Sequence, residues 1–237
     1  VERAGDASVG GGDAALRLGL GATVVRDRVY AAGHGGEIAA FALANGRALW
    51  QTKTKAPLAG STGADATLVV AGSSQGEVIA LSGESGSVLW RVRVRGEVLS
   101  APLVAPTAVV VRTVDGRLVA LAREDGHELW SVEQQIPRLT LRGVAAPVLA
   151  GDVVLCGFDN GKVVGASLRD GSVLWETAVA PPRGRTELER LSDIDSRVLV
   201  SGDNVFAVGF QGRIAMLALD TGQIWWSRDL SSYRGLA

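Results

Sequence analysis

The chain has 237 residues, of which 47% are hydrophobic and 21% charged, a balance typical of a globular protein. The formal net charge of −1 offers no basic field for nucleic acid, and no apolar run reaches the roughly 18 to 20 residues that cross a bilayer. Cys156 is the only cysteine, which excludes an internal disulfide, and with only two histidines the composition argues against a structural zinc site.

A six-residue motif occurs five times: a turn residue, glycine, two further residues, an apolar residue and tryptophan. The copies occupy 45–50, 85–90, 125–130, 170–175 and 221–226. A second glycine stands ten residues before each motif glycine, at Gly36, Gly76, Gly116, Gly161 and Gly212. Dipeptides such as Asp-Gly and Asn-Gly supply the positive φ that two-residue hairpin turns require. The sequence therefore repeats one unit that is rich in tight turns.

Each unit predicts four strands, as the third copy illustrates. Its strands are expected near Ala101–Ala105, near Ala108–Val114, over Arg117–Arg123 and over His127–Val132. A repeat of about 40 residues with four strands is typical of a β-propeller blade. We predict an all-β fold without substantial helix, formed by one propeller domain. Its five blades are expected at roughly 16–55, 56–95, 96–135, 143–180 and 196–230.

The tryptophan and the glycine of the motif are interpreted as structural residues. Because the tryptophan has the same place in all five units, packing between blades is favoured over stacking on a ligand. The glycines are interpreted as turn residues rather than as a phosphate-binding loop, because no helix follows them.

Two connections are longer than the others. From each motif tryptophan to the next second glycine the chain runs 26, 26, 31 and 37 residues, whereas the motif itself keeps its length. Pro102 and Pro147 both stand 14 residues before a second glycine, so the first five extra residues fall within 135–142. The next eleven fall within 177–195. We call these segments the first insert and the second insert.

Both inserts join the fourth strand of one blade to the first strand of the next. Such connections all leave an antiparallel blade on the same face, so the inserts are expected side by side on one rim. The first offers Leu139 and Leu141 beside Arg142, and the second offers Asp193 and Asp195. An apolar centre flanked by charges is typical of a protein-binding site. The alternative is that the leucines pack into the gap between blades and the acids cap turns.

No residue pattern points to catalysis. Glu187 with Glu189, or Asp193 with Asp195, could be paired catalytic carboxylates. Alternating acids in a polar loop are usually solvated, which favours a non-catalytic interpretation. We therefore predict no catalytic residue, no cofactor-binding residue and no metal ligand.

The five repeats resemble those of quinoprotein-like, PQQ-repeat propellers. Over nearly the whole chain, the closer resemblance is to the BamB family of outer-membrane assembly lipoproteins. The segments that carry it are Leu139-Thr-Leu-Arg-Gly143, Ala146-Pro147, Gly157-Phe-Asp-Asn-Gly161, the run 185–195 and Gly222-Gln-Ile-Trp225. The two inserts are the most specific part of this resemblance.

The resemblance implies an eight-bladed propeller without enzymatic activity, at the periplasmic face of the outer membrane. It implies docking on the POTRA domains of BamA, chiefly the third, together with other Bam complex subunits. It also implies help in delivering and inserting unfolded outer-membrane proteins. The docking residues that it implies are Leu139, Leu141, Arg142, Asp193 and Asp195, which are the residues that the inserts indicate.

Two departures from the family lead to further expectations. The family's mature chain begins with a lipidated cysteine, whereas this sequence begins at Val1, and Cys156 is expected within a strand. Five motifs are present rather than eight. We expect a fragment without the lipid anchor and about three C-terminal blades, with open blade edges that could pair with client strands.

Two other functions stay open. PQQ-dependent dehydrogenases share the repeat, but they are known for adjacent cysteines and a calcium site, and this chain has one cysteine. A propeller scaffold with a different partner shares the fold. Such a scaffold would have no reason to carry both insert motifs in consecutive blades.

Overall fold

The computed structural model of the chain describes residues 8–10, 20–137, 139–140, 145–181, 193–194, 196–210, 212–230, 232 and 236. Within these ranges the regular structure is entirely β. No helix of the described chain has the length and hydrophobicity of a membrane span. The predicted all-β fold is confirmed.

The strands form five antiparallel sheets of four, in each of which the strands neighbour one another in chain order. The first sheet contains β1 (Ala22–Val25), β2 (Arg28–Ala32), β3 (Glu37–Ala42) and β4 (Ala48–Lys53). The second contains β5 (Gly63–Ala64), β6 (Leu68–Gly72), β7 (Glu77–Ser82) and β8 (Val88–Arg93). The third contains β9 (Leu103–Val104), β10 (Ala108–Arg112), β11 (Arg117–Ala122) and β12 (Glu128–Glu133). The fourth contains β13 (Val148–Ala150), β14 (Val153–Gly157), β15 (Lys162–Ser167) and β16 (Val173–Ala178). The fifth contains β17 (Leu199–Ser201), β18 (Asn204–Val208), β19 (Arg213–Ala218) and β20 (Ile224–Asp229).

The strands of the third repeat agree with those predicted from the sequence. β9, β10 and β11 lie inside their predicted spans, and β12 is displaced by one residue. Cys156 lies within β14, as expected, and is buried. The agreement follows from the local turn signals, because a glycine with positive φ fixes where each hairpin reverses.

The chain divides into two compact units, Val1–Thr113 with Leu121–Glu128 and Val114–Ala120 with Leu129–Ala237. In the first unit one apolar core joins the first two sheets, with Tyr30 and Ile38 packed in the same cluster as Ile79. In the second unit another core joins the fourth and fifth sheets, with Leu155 in the same cluster as Leu217. Within each unit, neighbouring sheets therefore pack face to face, as propeller blades do.

Each motif tryptophan before the last one donates a hydrogen bond to the next sheet. The accepting carbonyl always comes one residue after the third strand of that sheet. The Nε1 donors and carbonyl acceptors are Trp50 to Gly83 (3.1 Å), Trp90 to Arg123 (2.7 Å), Trp130 to Leu168 (2.9 Å) and Trp175 to Leu219 (2.8 Å). The predicted packing of the motif tryptophan between blades is therefore confirmed for these four.

The motif glycine lies against the tryptophan ring of the preceding blade. A Cβ built on Gly86 would lie 2.5 Å from the ring of Trp50, and one built on Gly171 would lie 2.7 Å from the ring of Trp130. Gly86 also has a φ of 71°, which other residues rarely adopt. The glycine is therefore required twice, for the turn and for the close approach of the ring.

The fourth strand of a sheet carries a β-bulge immediately before the tryptophan. In the second sheet Ala80 pairs with Trp90 and Leu81 pairs with Val88, which leaves Leu89 as the extra residue. The first, fourth and fifth sheets have the same register shift. Because a bulge twists an edge strand away from regular pairing, these outer edges are poorly suited to accept a client strand.

Candidate docking site

Gln134, just before the first insert, and Gln135, its first residue, are both hydrogen-bonded to other parts of the second unit. The amide of Gln134 donates to the carbonyl of Gly116 (2.9 Å), and its Nε2 donates to Oε2 of Glu176 (2.9 Å). The carbonyl of Gln135 accepts a hydrogen bond from Nδ2 of Asn160 (3.0 Å). The start of the first insert therefore lies against the turn between β14 and β15.

The second insert is attached at both of its ends to the same turn. The amides of Val179 and Ala180 each donate to the carbonyl of Gly161 at 3.0 Å. Near the other end of the insert, the amide of Ile194 donates to the carbonyl of Phe158 (3.2 Å). The chain therefore leaves the turn at Gly161 and returns to it at Phe158.

The second repeat shows what this connection looks like without an insert. There the amide of Val94 donates to the carbonyl of Gly76 (2.9 Å) and the amide of Val98 donates to the carbonyl of Ser73 (3.0 Å). These two anchors are four residues apart, whereas the equivalent Val179 and Ile194 are fifteen apart. The eleven extra residues predicted for the second insert therefore lie between Val179 and Ile194.

The turn between β14 and β15 is thus a shared base for the two inserts. We call residues 158–162 the base turn. One end of the first insert and both ends of the second are hydrogen-bonded to it. The ends of the inserts therefore lie together, as the geometry of antiparallel blades predicted.

The return of the second insert is fixed by a buried side chain as well as by a hydrogen bond. Ile194 is fully buried. A Cβ built on Gly157 would overlap Cγ2 of Ile194 and would lie 2.8 Å from its carbonyl oxygen. Only glycine at 157 therefore leaves room for Ile194 beside the end of β14.

The exposure expected of Asp193 is wrong. The sequence suggested a solvated acid on the rim, but this side chain is 1% exposed. The carbonyl of Asp193 accepts a hydrogen bond from the amide of Phe210 (2.8 Å), and the adjacent Ile194 is held in the core. The hydrogen bond from Phe210 and the packing of Ile194 hold the backbone of Asp193 in place. At this position the Asp193 side chain is buried.

Leu139 is the other predicted docking residue that the structure describes. Its side chain is 39% exposed, so it does not fill the gap between blades. Leu141, Arg142 and Asp195 lie outside the described residues.

A charged pair supports the start of the first insert. Nζ of Lys162, the last residue of the base turn, donates to Oε1 of Glu176, and Gln134 donates to the second oxygen of the same carboxylate. The hydrogen bond from Lys162 lowers the pKa of Glu176; partial burial opposes this shift and the hydrogen bond from Gln134 adds to it. Glu176 is therefore ionised at neutral pH and links the fourth blade to Gln134.

This lowered pKa predicts a pH dependence. A carboxyl group with a lowered folded pKa stabilises the protein above its ordinary pKa, and the contribution is lost as pH falls through the folded pKa. We expect wild type to be more stable than Glu176→Gln at pH 7, and the difference to shrink as the pH falls below 4.5, the ordinary pKa of this carboxyl group, and through its lowered folded pKa. Urea unfolding of both proteins at several pH values measures it. A difference that does not change with pH would contradict this assignment.

Sequence reasoning missed three residues that position the inserts, namely Gly157, Asn160 and Ile194. A signal for Gly157 exists, because Gly72 has the same place four residues before a second glycine. Asn160 and Ile194 lie in segments that carry the family resemblance, but their contacts could not be predicted because Gln135 and Gly157 are distant in sequence. Among the residues that the structure describes, no three His, Cys, Asp or Glu side chains are grouped as a metal site would require.

Comparisons with known proteins identify the family of the chain. The family model described as outer membrane protein assembly factor BamB matches residues 7–63 and 34–237. The protein of that name from Pseudomonas aeruginosa is 50% identical over 230 residues, which are 97% of this chain and 60% of the relative. This chain thus spans about three fifths of that relative's length.

Solved structures give the same result for the fold. The crystal structure of BamB from Moraxella catarrhalis superposes with a TM-score of 0.85 at 26% identity, over 92% of this chain and 66% of that one. Quinohemoprotein alcohol dehydrogenase from Comamonas testosteroni superposes with a TM-score of 0.68 at 13% identity, over 92% of this chain and 44% of that one. The dehydrogenase likeness concerns the propeller fold alone. With the family model matched over most of its length, the chain belongs to the BamB family of outer membrane protein assembly factors.

Proposed function

We propose that the chain forms part of a non-enzymatic scaffold subunit of the outer-membrane β-barrel assembly (Bam) machinery. The subunit docks on the POTRA domains of BamA, chiefly the third, and assists the delivery and insertion of outer-membrane proteins. The observation that carries this proposal is the base turn, to which both family-specific inserts are attached. Attaching two lengthened connections to one turn brings their residues onto one surface, as a binding site built from loops requires.

Each predicted docking residue has a role in this proposal. Leu139 and Leu141 enter an apolar groove of the partner, and Arg142 pairs with a partner acid. Asp195 meets a basic group of the partner. Because Asp193 is buried, we assign it to supporting the second insert from inside rather than to direct contact. An exposed leucine at the start of this surface fits an apolar centre with a charged rim.

The proposed setting follows from the family. The full-length protein works at the periplasmic face of the outer membrane, held there by an N-terminal lipid anchor. Its partners are BamA, other Bam subunits and unfolded outer-membrane proteins. Nucleic acid is not among them, in keeping with a net charge of −1.

A pull-down with the periplasmic region of BamA tests the docking role. Leu139→Ala and Arg142→Ala are each expected to weaken capture by about 2 kcal/mol or more, because both remove a group that is buried on binding. Leu89→Ala is the matched control, since Leu89 is an exposed leucine on an outer strand. Undiminished capture of the partner by both insert variants would reject the assignment.

An activity assay on the same purified protein tests the alternative that it is an enzyme of the PQQ-dependent dehydrogenase type. Incubation with PQQ and calcium, followed by dye reduction with alcohols, is expected to give no turnover above the protein-free blank. Turnover that depends on both additives would favour the enzyme.

A further inference from the structure

We propose that Asn160 is a positioning residue that holds the first insert on the base turn and thereby fixes it relative to the second. This inference rests on the proposed docking function. It concerns a side chain that is not itself a predicted contact residue.

The oxygen and the nitrogen of the Asn160 carboxamide bind different partners. Its Oδ1 accepts a hydrogen bond from the amide of Lys162 (3.1 Å), which shapes the turn from within. Its Nδ2 donates to the carbonyl of Gln135 (3.0 Å), which belongs to the first insert. A backbone amide only donates and a carbonyl only accepts, so the two partners fix which end is oxygen and which is nitrogen.

The backbone of the same turn carries the second insert. The carbonyl of Gly161 accepts from Val179 and Ala180, and the carbonyl of Phe158 accepts from Ile194. These bonds use main-chain atoms, so they do not depend on the side chain at 160. Asn160 therefore bonds the first insert directly to a turn whose backbone already holds the second, beside the link that Lys162 and Glu176 make to Gln134.

Other repeats show that the turn itself does not need asparagine. The residue before the second glycine is Gln75 in the second repeat, Asp115 in the third and Asn160 in the fourth. An aspartate in this position can still accept the amide hydrogen bond that shapes the turn, but when ionised it has no donor. Asn160→Asp therefore keeps the acceptor within the turn and removes only the donor to Gln135.

The experiment compares Asn160→Asp and Asn160→Ala with Asn45→Asp. Asn45 also accepts an amide hydrogen bond two residues on, from Arg47 (3.0 Å), in a turn before glycine that lies in the first blade. The first measurement is limited trypsin digestion, in which mass spectrometry compares cleavage after Arg142 with cleavage after Arg185 in the second insert. The second measurement is capture of the periplasmic region of BamA.

Loss of one hydrogen bond is expected to raise cleavage in the first insert about fivefold relative to the second insert, and to weaken capture by a similar factor. Both Asn160 variants should behave alike, which excludes the added charge as the cause, and Asn45→Asp should match wild type. An unchanged cleavage ratio would overturn the positioning role. A raised ratio with unchanged capture would also overturn it if Leu139→Ala weakens capture. If Leu139→Ala leaves capture intact, the docking function fails, and the cleavage ratio alone decides whether Asn160 holds the insert.

Discussion

Truncating Trp175 to alanine is expected to lower the free energy of unfolding by about 3 to 5 kcal/mol. The Trp175 side chain is 7% exposed and lies between the fourth and fifth sheets of the second unit. Its Nε1 donates to the carbonyl of Leu219 at 2.8 Å, and a Cβ built on Gly222 would lie 2.5 Å from ring atom Cδ2. Alanine would leave both a cavity and a carbonyl without its donor.

The last motif tryptophan provides the matched control. Trp226 is 39% exposed, against 7% for Trp175. Its ring is tilted beside that of Phe206, with the centroids 6.4 Å apart. Because the Trp226 side chain is far more exposed than that of Trp175, Trp226→Ala is expected to cost only about 1 kcal/mol.

Urea unfolding followed by far-ultraviolet circular dichroism measures both variants without relying on tryptophan fluorescence. The m-values should be equal, so that midpoints report stability. If both variants lose the same free energy of unfolding, the carbonyl and the glycine of the following blade do not contribute to the stabilisation by the motif tryptophan.

Replacing Gly157 by alanine is expected to weaken capture of the BamA periplasmic region at least tenfold and to destabilise the fold by about 1 to 3 kcal/mol. The new methyl group would overlap Cγ2 of Ile194, and the carbonyl oxygen of Ile194 would lie 2.8 Å away. A backbone atom cannot rotate out of the way. Ile194 must therefore move, and the return of the second insert to the base turn moves with it.

A control substitution at Gly72 separates the loss of stability from the loss of docking. A Cβ on Gly72 would overlap Cγ1 of Val98 and would lie 2.7 Å from its Cβ, in the equivalent connection of the second repeat. That connection has no insert. Gly72→Ala should therefore destabilise the protein by a similar amount and leave capture unchanged.

Capture is measured below the unfolding transition of both variants, so that each is fully folded. If Gly72→Ala weakens capture as much as Gly157→Ala does, general destabilisation explains the effect. In that case the second insert has no special part in docking.

Much of the fold could be predicted because its signals are local. Each hairpin reverses at a glycine a few residues from its strands, and Gly116 and Gly126 placed the strands of the third repeat to within about two residues. The lengths of the inserts followed from spacing alone, because the repeat supplies its own reference. The anchors at Val179 and Ile194 then located the eleven extra residues of the second insert.

The docking residues were predicted less completely. Leu139 is exposed, as its place in a lengthened connection suggested, whereas Asp193 is buried. The polar composition of the second insert suggested that its acids are solvated, and composition cannot show that Ile194, next to Asp193, packs against Gly157. The roles of Leu141, Arg142 and Asp195 stay predictions that the proposed variants can test.

The repeat, the four strands of each blade and the two lengthened connections could all be predicted from the amino-acid sequence. The burial of Asp193, the hydrogen bond from Asn160 to the first insert and the space that Gly157 leaves for Ile194 depend on the tertiary structure. The reason is how far apart in the sequence the interacting residues lie. A turn is decided by neighbouring residues, whereas Ile194 packs on a glycine 37 residues earlier, a contact that exists only once two blades have come together.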